Sequence, residues 1–368
     1  MHGSYPAAVI RWRSGTVVDI RREWSGVREV GVDVPAEGVQ PALAYTALVG
    51  VPEPGDRVVL NTTALTLGLG TGGHALVVAL PDRLPADAAG PGHLVKARYT
   101  PAQATVLGVD EPDSPHHAVI AAATSIDAMP VVVADLHSAL PAVLAGILAD
   151  APSARVAYVL TDGGALPLWY SRTVAGLRPL LCGTVTTGQS FGGDLEAVTV
   201  HTGLLAARHV LGADVAVLTQ GPGNLGTSTP WGFSGVGAGE AVNAVAVLGG
   251  RPVGALRISD ADPRERHRGV SHHSLTAFGR VALAGADLVV PAGLDAELAR
   301  RVADDLAPLG GRHRVVTVPG GGLDAALRRL PVSLSTMGRG LDDDHAYFIA
   351  AAAAGRHAAS LLEAPRPR

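Results

Sequence analysis

The chain lacks the residues on which several kinds of chemistry depend. It has a single cysteine, Cys182, so an intrachain disulfide and a zinc site built from thiolates are both excluded. Its 29 lysine and arginine residues include only one lysine, Lys96. A Walker-type phosphate loop needs a lysine within the glycine-rich loop, and none is there. A Schiff-base mechanism would have to use Lys96, which lies in a linker-like stretch and is not expected to serve.

Long apolar runs and a strong net charge are also missing. No uninterrupted apolar run reaches the length of a membrane span, and the amino-terminal MHGSYPAAVIRWRSG lacks the apolar stretch of a secretory signal. We therefore expect a cytoplasmic protein with no membrane partner. The net charge of −4 and the pI near 6.4 give no electrostatic footprint for nucleic acid, so a nucleic-acid partner is not expected.

Apolar residues, in contrast, are abundant, and their spacing changes along the chain. They make up 47% of 368 residues, which is enough for two domains with separate cores. Within residues 1–80, runs such as AVIRWRS and GTVVDIRR alternate apolar and polar residues between glycine and proline turns. This pattern predicts a small all-β domain, a barrel or a sandwich. Residues 81–115 are rich in proline and polar residues, which favours a linker or arm.

From residue 116 to residue 368 short apolar strands alternate with amphipathic helices. This rhythm predicts an α/β domain with a doubly wound, mostly parallel sheet that helices cover on both faces. One helix is expected over residues 194–211. The last helix, over residues 344–362, is rich in alanine and is expected to pack on a neighbouring element or a second subunit. A homo-oligomer, most simply a dimer, is therefore expected. We predict strands over residues 130–135, 155–161, 180–186, 214–219, 252–258, 286–291 and 314–319.

Two polar loops, residues 220–235 and 259–273, each leave the carboxyl end of a predicted strand. Because parallel strands end at one edge of a sheet, these loops can converge although they lie apart in sequence. In such sheets that edge is where ligands bind. We therefore expect the working site there, at the centre of the predicted α/β domain.

The first loop, GPGNLGTST, is typical of an anion site. Glycines let backbone N–H groups approach an anion at a helix start, and hydroxyl groups add donors. A glycine turn that allows a strand and a helix to pack closely fits the same residues equally well. We predict anion binding by Gly221, Gly223, Asn224, Gly226, Thr227, Ser228 and Thr229.

The second loop, SDADPRERHRGVSHH, concentrates groups that can move protons or hold a metal. His267, His272 and His273 are predicted catalytic residues that move a proton or bind a metal, and Arg264 or Arg266 is predicted to clamp the substrate. The sequence leaves the cofactor open, with a divalent metal ion as the candidate. His272 and His273 are neighbours on a helix, so one centre is not expected to use both. The aspartates and arginines can also simply pair. The predicted metal ligands are Asp135, His137, Asp260 and Asp262.

Glu240 lies in the first turn of the helix after the glycine loop. If its face meets the cleft, the carboxylate is a candidate general base. Stabilisation by the helix dipole explains the same residue without any chemistry. The sequence leaves both interpretations open.

Three segments resemble an uncharacterised bacterial family, the domain of unknown function DUF3866. They are GPGNLGTSTPWGFSGVGAGEAVNA, DPRERHRGVSHHSLTAFGR and STMGRG, and the resemblance covers nearly the whole chain. It implies no activity. The stretch HTGLLAARHVLGADVAVLTQGPGNLGTST is also similar to the α/β subunits of glycine reductase. The selenocysteine or cysteine of that loop is absent here, so this similarity does not imply reductase chemistry.

The leading hypothesis is an enzyme that acts on a small anionic metabolite, with metal assistance as an option. One alternative is a non-catalytic scaffold that senses a metabolite or binds protein or nucleic acid. A face formed by Arg11, Trp12, Arg13, Arg21, Arg22 and Trp24 would carry the nucleic-acid variant. Another alternative is a structural subunit of a larger complex, which the alanine-rich last helix motivates.

Overall fold

A computed structural model describes residues 10–69, 72–87 and 90–362. These residues form two compact units. The limits of the first unit along the chain are Met1–Gly90 and Ala97–Ala104, and those of the second are Pro91–Lys96 and Thr105–Arg368. Each unit has its own apolar core.

The first unit is a closed five-stranded barrel, which confirms the predicted barrel-like domain. Its strand order is β1-β2-β3-β5-β4, and β3 pairs with β5 in parallel while the other pairs are antiparallel. Alternate valines of β2, such as Val30 and Val32, fill the interior, as the alternating pattern requires. The strands are β1 (Trp12–Trp24), β2 (Val27–Val34), β3 (Gly38–Tyr45), β4 (Arg57–Asn61) and β5 (Ala75–Ala79), with short helices α1 (Thr46–Val49) and α2 (Thr63–Thr66).

The arginines near the start of the barrel are paired with carboxylates. Arg11 and Arg13 both contact Glu37, with 2.8 Å between Arg11 Nη2 and the Glu37 carboxylate, and Arg21 lies 3.2 Å from Asp19. Arg22 Nε lies 4.0 Å from a carboxylate oxygen of Glu29. These ion pairs offset the positive charge on which the nucleic-acid interpretation depends.

The second unit is built on an eight-stranded parallel sheet, which confirms the predicted α/β class. Its strand order is β11-β10-β9-β12-β8-β13-β16-β17. Two short strands, β6 (Leu94–Lys96) and β7 (Ala104–Val106), precede it, and β14 (Ile258–Ser259) and β15 (Gly269–Val270) form a small hairpin. The sheet strands are β8 (Pro130–Ala134), β9 (Val156–Thr161), β10 (Gly183–Thr187), β11 (Leu195–Ala197), β12 (Val215–Gln220), β13 (Arg251–Ala255), β16 (Asp287–Pro291) and β17 (Arg314–Val318).

Helices cover both faces of the sheet and bury two separate cores. No helix in the described part of the chain has both the length and the apolar character needed to cross a membrane. A π-helical turn, Ala277–Val281, follows α8. The helices are α3 (His117–Ala122), α4 (Leu140–Asp150), α5 (Arg172–Leu177), α6 (Val200–His209), α7 (Gly237–Val247), α8 (His272–Thr276), α9 (Ala296–Leu306), α10 (Leu323–Arg328) and α11 (His345–Ser360).

The helix expected over residues 194–211 is instead a strand followed by a shorter helix. Leu195–Ala197 pair with β10 and extend the sheet by one edge strand. The chain stays extended at Thr199, whose hydroxyl accepts a hydrogen bond from the Thr202 N–H and so begins α6. The sequence prediction was wrong here because the cap lies inside the segment.

The alanine-rich helix α11 is buried within its own unit and packs closely on α4. A methyl group built on Gly355 would overlap the Val143 carbonyl, and one on Gly146 would overlap the Ala352 carbonyl. Small residues on both helices therefore let the two backbones approach each other closely. Of the two expectations for this helix, packing on a neighbouring element of the same chain is the one found, and the dimer stays a prediction.

The connections change sides of the sheet around β8. Helix α4, which follows β8, packs in one core, whereas α7, which follows β12, packs in the other. Since β8 lies between β12 and β13, its carboxyl end is a topological switch point. A crevice opens at such points because neighbouring connections diverge to opposite faces.

Candidate functional site

The carboxylate at the switch point is Asp135, the residue that follows β8. It is 3% exposed, and its Oδ2 atom is buried without a hydrogen-bond partner. Burial raises the pKa of Asp135 to about 6, and the nearby Arg257 guanidinium opposes this rise. A carboxyl group with this pKa can accept or donate a proton near neutral pH.

The chain around Asp135 is fixed by the end of β12. The Gln220 side-chain amide donates to the Asp135 carbonyl over 2.6 Å and to Asn224 Oδ1 over 3.0 Å. The short 3₁₀ turn Ser234–Val236 passes beside Asp135 at Gly235. A Cβ atom at Gly235 would lie 3.0 Å from the Asp135 carbonyl oxygen, so this position requires glycine or a shift of the chain.

A cavity of about 370 Å³ adjoins Asp135 at the carboxyl ends of β8, β9, β10 and β12. The first turns of α6 and α7 line it through Val200 and Gly237. A larger cavity of about 930 Å³ lies at the opposite edge, beside Pro130 and Arg251 at the amino ends of β8 and β13. Because ligands of open parallel sheets bind at the carboxyl edge, the smaller cavity is the better candidate.

The glycine loop after β12 closes on itself. The Thr227 N–H donates to the Gly232 carbonyl over 2.7 Å, and the Thr229 hydroxyl accepts from the Gly232 N–H over 3.0 Å. Ser234 Oγ donates to Asn224 Oδ1 and accepts from the Leu225 N–H. Several predicted anion donors are therefore used within the loop. The anion site predicted at residues 221–229 remains untested.

The loop after β13 brings three imidazole rings together. One nitrogen from each of His267, His272 and His273 lies within 4.8 Å of the other two. The ring centroids of His272 and His273 are 4.3 Å apart, and each is 4.9 Å from that of His267. Side-chain torsions turn the rings of His272 and His273 toward each other, although the two residues are neighbours on a helix. The expectation that one centre would not use both is not tested by this convergence.

Neighbouring elements orient these rings. Ser271 Oγ caps α8 and lies 2.7 Å from His267 Nδ1. The Phe233 ring, from the glycine loop, lies flat on His273 with 3.9 Å between centroids and a 5° angle between planes. Arg266 Nη2 also lies 3.5 Å from Ser228 Oγ. The glycine and histidine loops are thus in direct contact.

All three histidines are held neutral at neutral pH. Burial, together with the charges of Arg257 and Arg264, lowers the pKa of His267 to about 3. Burial, followed by the charges of His272 and the arginines, lowers the pKa of His273 to about 3. The pKa of His272 is lowered by burial and by Arg266. Neutral imidazole is the form that binds metals and accepts protons.

A buried ionic cluster lies beside the histidines. Asp262, which is fully buried, contacts Arg257 and Arg264 at 2.9 Å and Arg339 at 3.2 Å. Burial would raise the pKa of Asp262, but its bonds to these arginines hold the pKa well below the usual range. Arg339 also contacts Asp344 at 2.8 Å. Three guanidinium groups face two carboxylates, which leaves a surplus positive charge.

The four residues predicted as metal ligands occupy different surroundings. His137 uses both ring nitrogens, at 3.0 Å from the Tyr158 hydroxyl and 2.7 Å from Ser171 Oγ, and burial lowers its pKa to about 4. The Asp262 carboxylate accepts hydrogen bonds from arginines. Asp260 is exposed and lines a separate acidic cavity, whereas Asp135 lines the cavity at the switch point. The structure does not gather them into one set.

Glu240 and Arg264, both predicted as catalytic, have different environments. Glu240 is exposed in the first turn of α7 and lines the cavity beside Asp135. Asn243, on the same helix, instead binds the Val281 carbonyl and the Leu283 N–H, so its role is structural. Arg264 donates to both oxygens of Asp262, so its guanidinium is already engaged.

Lys96, which the sequence analysis placed in a linker-like stretch, is instead part of a buried ion pair. It is fully buried, 3.2 Å from Glu196, and its ammonium group donates to the carbonyls of Gly188 and Ser190 over 2.8 Å. Burial lowers the pKa of Lys96, and Glu196 opposes this shift. Lys96 thus fixes the loop after β10, which borders the cavity. In the sequence, only the apolar neighbours in HLVKA indicated that Lys96 is buried.

A comparison with known families matches most of the chain. A family model described as "Protein of unknown function (DUF3866)" matches residues 41–355, most of both units. The chain belongs to this family. The match to DUF3866 spans Asp135, the glycine loop and the three histidines, so the candidate site lies within the family region. No curated protein and no solved structure matches this DUF3866 protein.

Proposed function

We propose that this DUF3866 protein is an enzyme that acts on a small anionic metabolite, with Asp135 as its proton-transferring group. The observation that carries the proposal is the Asp135 Oδ2 atom, which is buried without a partner beside a cavity at the switch point. Buried polar atoms are nearly always satisfied, so an orphaned one in a residue that lines a cavity supports a ligand there.

The amino-terminal ends of two helices favour an anion at the cavity, although the carboxylates of Asp135, Asp162 and Glu240 also line it. The amino-terminal turns of α6 and α7 both line it, and α7 has no side-chain cap on its first N–H groups. These N–H groups and the helix dipoles stabilise negative charge. The charge of the Arg257 guanidinium lowers the pKa of Asp135, so this group adds positive charge near the carboxylate. A volume of about 370 Å³ fits a compact metabolite such as a small phosphate or carboxylate.

The proposed chemistry is proton transfer at the end of β8. An anion held at the helix starts would present its reacting atom to Asp135, which accepts or donates the proton. The neutral histidines beside Arg257 can pass a proton on or hold a divalent metal ion that polarises the substrate. The exposed Glu240 carboxylate at the rim is a second proton acceptor.

Untargeted metabolite profiling tests this proposal. Purified protein is incubated with a cell extract in D₂O, and mass spectrometry follows depletion of anionic metabolites and deuterium uptake. We expect at least one small phosphate or carboxylate to change with wild-type protein, and the rate to fall by about 10²–10⁴-fold with Asp135→Asn. The control Asp304→Asn, on the exposed face of α9, should retain the full rate. An equal rate in Asp135→Asn and wild-type protein would refute the role of Asp135. The absence of turnover by wild-type protein would refute the proposal that the protein is an enzyme.

A further inference from the structure

We propose that His267, His272 and His273 bind one divalent metal ion of the zinc class through three imidazole nitrogens. This inference adds a ligand set to the proposed function but does not depend on it. Its readout is metal binding, so it can succeed or fail separately from turnover.

The first observation is the proximity of the nitrogens. Three nitrogen atoms lie within 4.8 Å of one another, which is close to the spacing of nitrogens around one metal ion. Metal–nitrogen bonds of about 2.0–2.1 Å in tetrahedral geometry place the nitrogens roughly 3.4 Å apart. Side-chain movements of about 1 Å would close the set to this spacing. In the part of the chain that the structure describes, these three residues form the one group of histidine, cysteine or acidic side chains with such proximity.

The second observation is that two of the nitrogens are orphaned. Nε2 of His272 and Nδ1 of His273 are buried and have no hydrogen-bond partner. His313, a buried histidine of the same unit, uses both nitrogens, with the Ala286 N–H at 3.1 Å and the Phe278 carbonyl at 2.8 Å. An unsatisfied imidazole nitrogen in the interior has lost its hydrogen bond to water without gaining another partner, which is unfavourable. Two together indicate an external group that uses their lone pairs.

The third observation is an outer shell that fixes the rings. When His267 Nδ1–H donates to Ser271 Oγ, Nε2 keeps the lone pair that a metal needs. The stacked Phe233 ring prevents His273 from rotating. Such partners of coordinating histidines orient the ligands and strengthen metal binding.

The surrounding charge does not exclude a cation. Asp262 and Asp344 offset two of the three charges of Arg257, Arg264 and Arg339, so a single surplus positive charge remains, which an anionic ligand on the metal would balance. Three neutral nitrogen ligands are typical of sites for zinc and its first-row neighbours, whereas Mg²⁺ and Ca²⁺ prefer oxygen. Catalytic zinc sites keep a fourth position open, and an anionic substrate can occupy it. The nearby Arg266 would attract that anion.

Metal titration of the full chain tests the inference. Chelator-treated protein is titrated with Zn²⁺ and, for its visible spectrum, with Co²⁺, and Mg²⁺ serves as the negative probe. We expect one Zn²⁺ per chain, a Co²⁺ spectrum of tetrahedral or five-coordinate type, and thermal stabilisation by Zn²⁺ but not by Mg²⁺. In His272→Ala the affinity for Zn²⁺ should fall by on the order of 100-fold, and Ser271→Ala should reduce it about tenfold.

The controls separate this site from other histidines. His117→Ala, an exposed histidine on α3, should bind Zn²⁺ as wild-type protein does. His273→Gln is the second ligand variant, in case alanine at position 272 disturbs folding, and circular dichroism checks each variant. Equal Zn²⁺ affinity in wild-type, His272→Ala and His273→Gln proteins would overturn the inference, as would the absence of Zn²⁺ binding by folded wild-type protein at micromolar concentrations.

Discussion

At the scale of single residues, Asp135 combines a stability cost with the proton transfer that we propose for it. Its carboxylate is buried without a partner, and burial raises its pKa from 3.8 to about 6. Between about pH 3.8 and pH 6 the folded state therefore holds a proton that the unfolded state releases. Natural proteins keep such unfavourable groups where function requires them.

The pH dependence of this cost can be predicted. The penalty is absent below pH 3.8, grows as the pH rises, and is complete above about pH 6. The shift corresponds to about 3 kcal/mol at pH 8 and about half of that at pH 5. We expect Asp135→Asn to be more stable than wild-type protein at pH 8, by up to about 3 kcal/mol, with a smaller advantage at pH 5. Urea denaturation at both pH values measures this.

Burial lowers the pKa values of the histidines, whereas it raises that of Asp135. The same histidines are present in wild-type protein and in Asp135→Asn. His267 and His273 have depressed pKa values, so the stability that they contribute is present above pH 6.5 and is lost as the pH falls toward 3. Comparing Asp135→Asn with wild-type protein at each pH cancels this effect. An Asp135→Asn protein that is less stable than wild type at pH 8 would show that Oδ2 has a favourable partner after all.

At the scale of elements, the close packing of α4 and α11 shapes the face of the sheet behind the site. Both helices use glycine where the other backbone comes nearest, at Gly146 and Gly355. Helix α4 begins directly after Asp135 and the 3₁₀ turn His137–Ala139, so its position fixes the end of β8. Displacement of α11 would therefore reach the site through α4.

A single methyl group tests this packing. We expect Gly355→Ala to lower the free energy of unfolding by about 2 kcal/mol or more, because the added methyl group overlaps the Val143 carbonyl. This loss outweighs the roughly 1 kcal/mol that alanine gains over glycine within a helix. Urea denaturation gives the value. Gly311→Ala, at an exposed glycine with open space, should be nearly neutral. Equal stability of the two variants would contradict the close approach.

At the scale of the whole molecule, the two-part architecture was predictable because it depends on periodicity. Alternation along GTVVDIRR and the apolar run PVVVA each match the strand that forms there. The order β12-β8-β13 was not predictable, because strand order depends on which crossovers pack best. The edge strand β11 was missed because its apolar residues merge with those of α6.

The location of the candidate site could be predicted from the sequence, but the side-chain atoms that are free to bind a ligand there could not. Parallel strands fixed the edge at which the loops after β8, β12 and β13 meet. Which groups are free there depends on rotamers and partners. Asp262 looked available in sequence but accepts hydrogen bonds from three arginines, whereas His272 and His273 looked divergent but converge. The ion pair between Lys96 and Glu196 could not be predicted either, because no sequence pattern links these two residues.

We propose that the loops after β8, β12 and β13 form one ligand site at the carboxyl edge of the sheet. Crystals grown with Zn²⁺ and inorganic phosphate, measured at the zinc absorption edge, test it most directly. We predict an anomalous peak about 2.1 Å from one nitrogen of each of His267, His272 and His273, and phosphate density in the cavity beside Asp135. Zinc bound only to exposed histidines such as His117, together with a cavity that contains only water, would contradict the account.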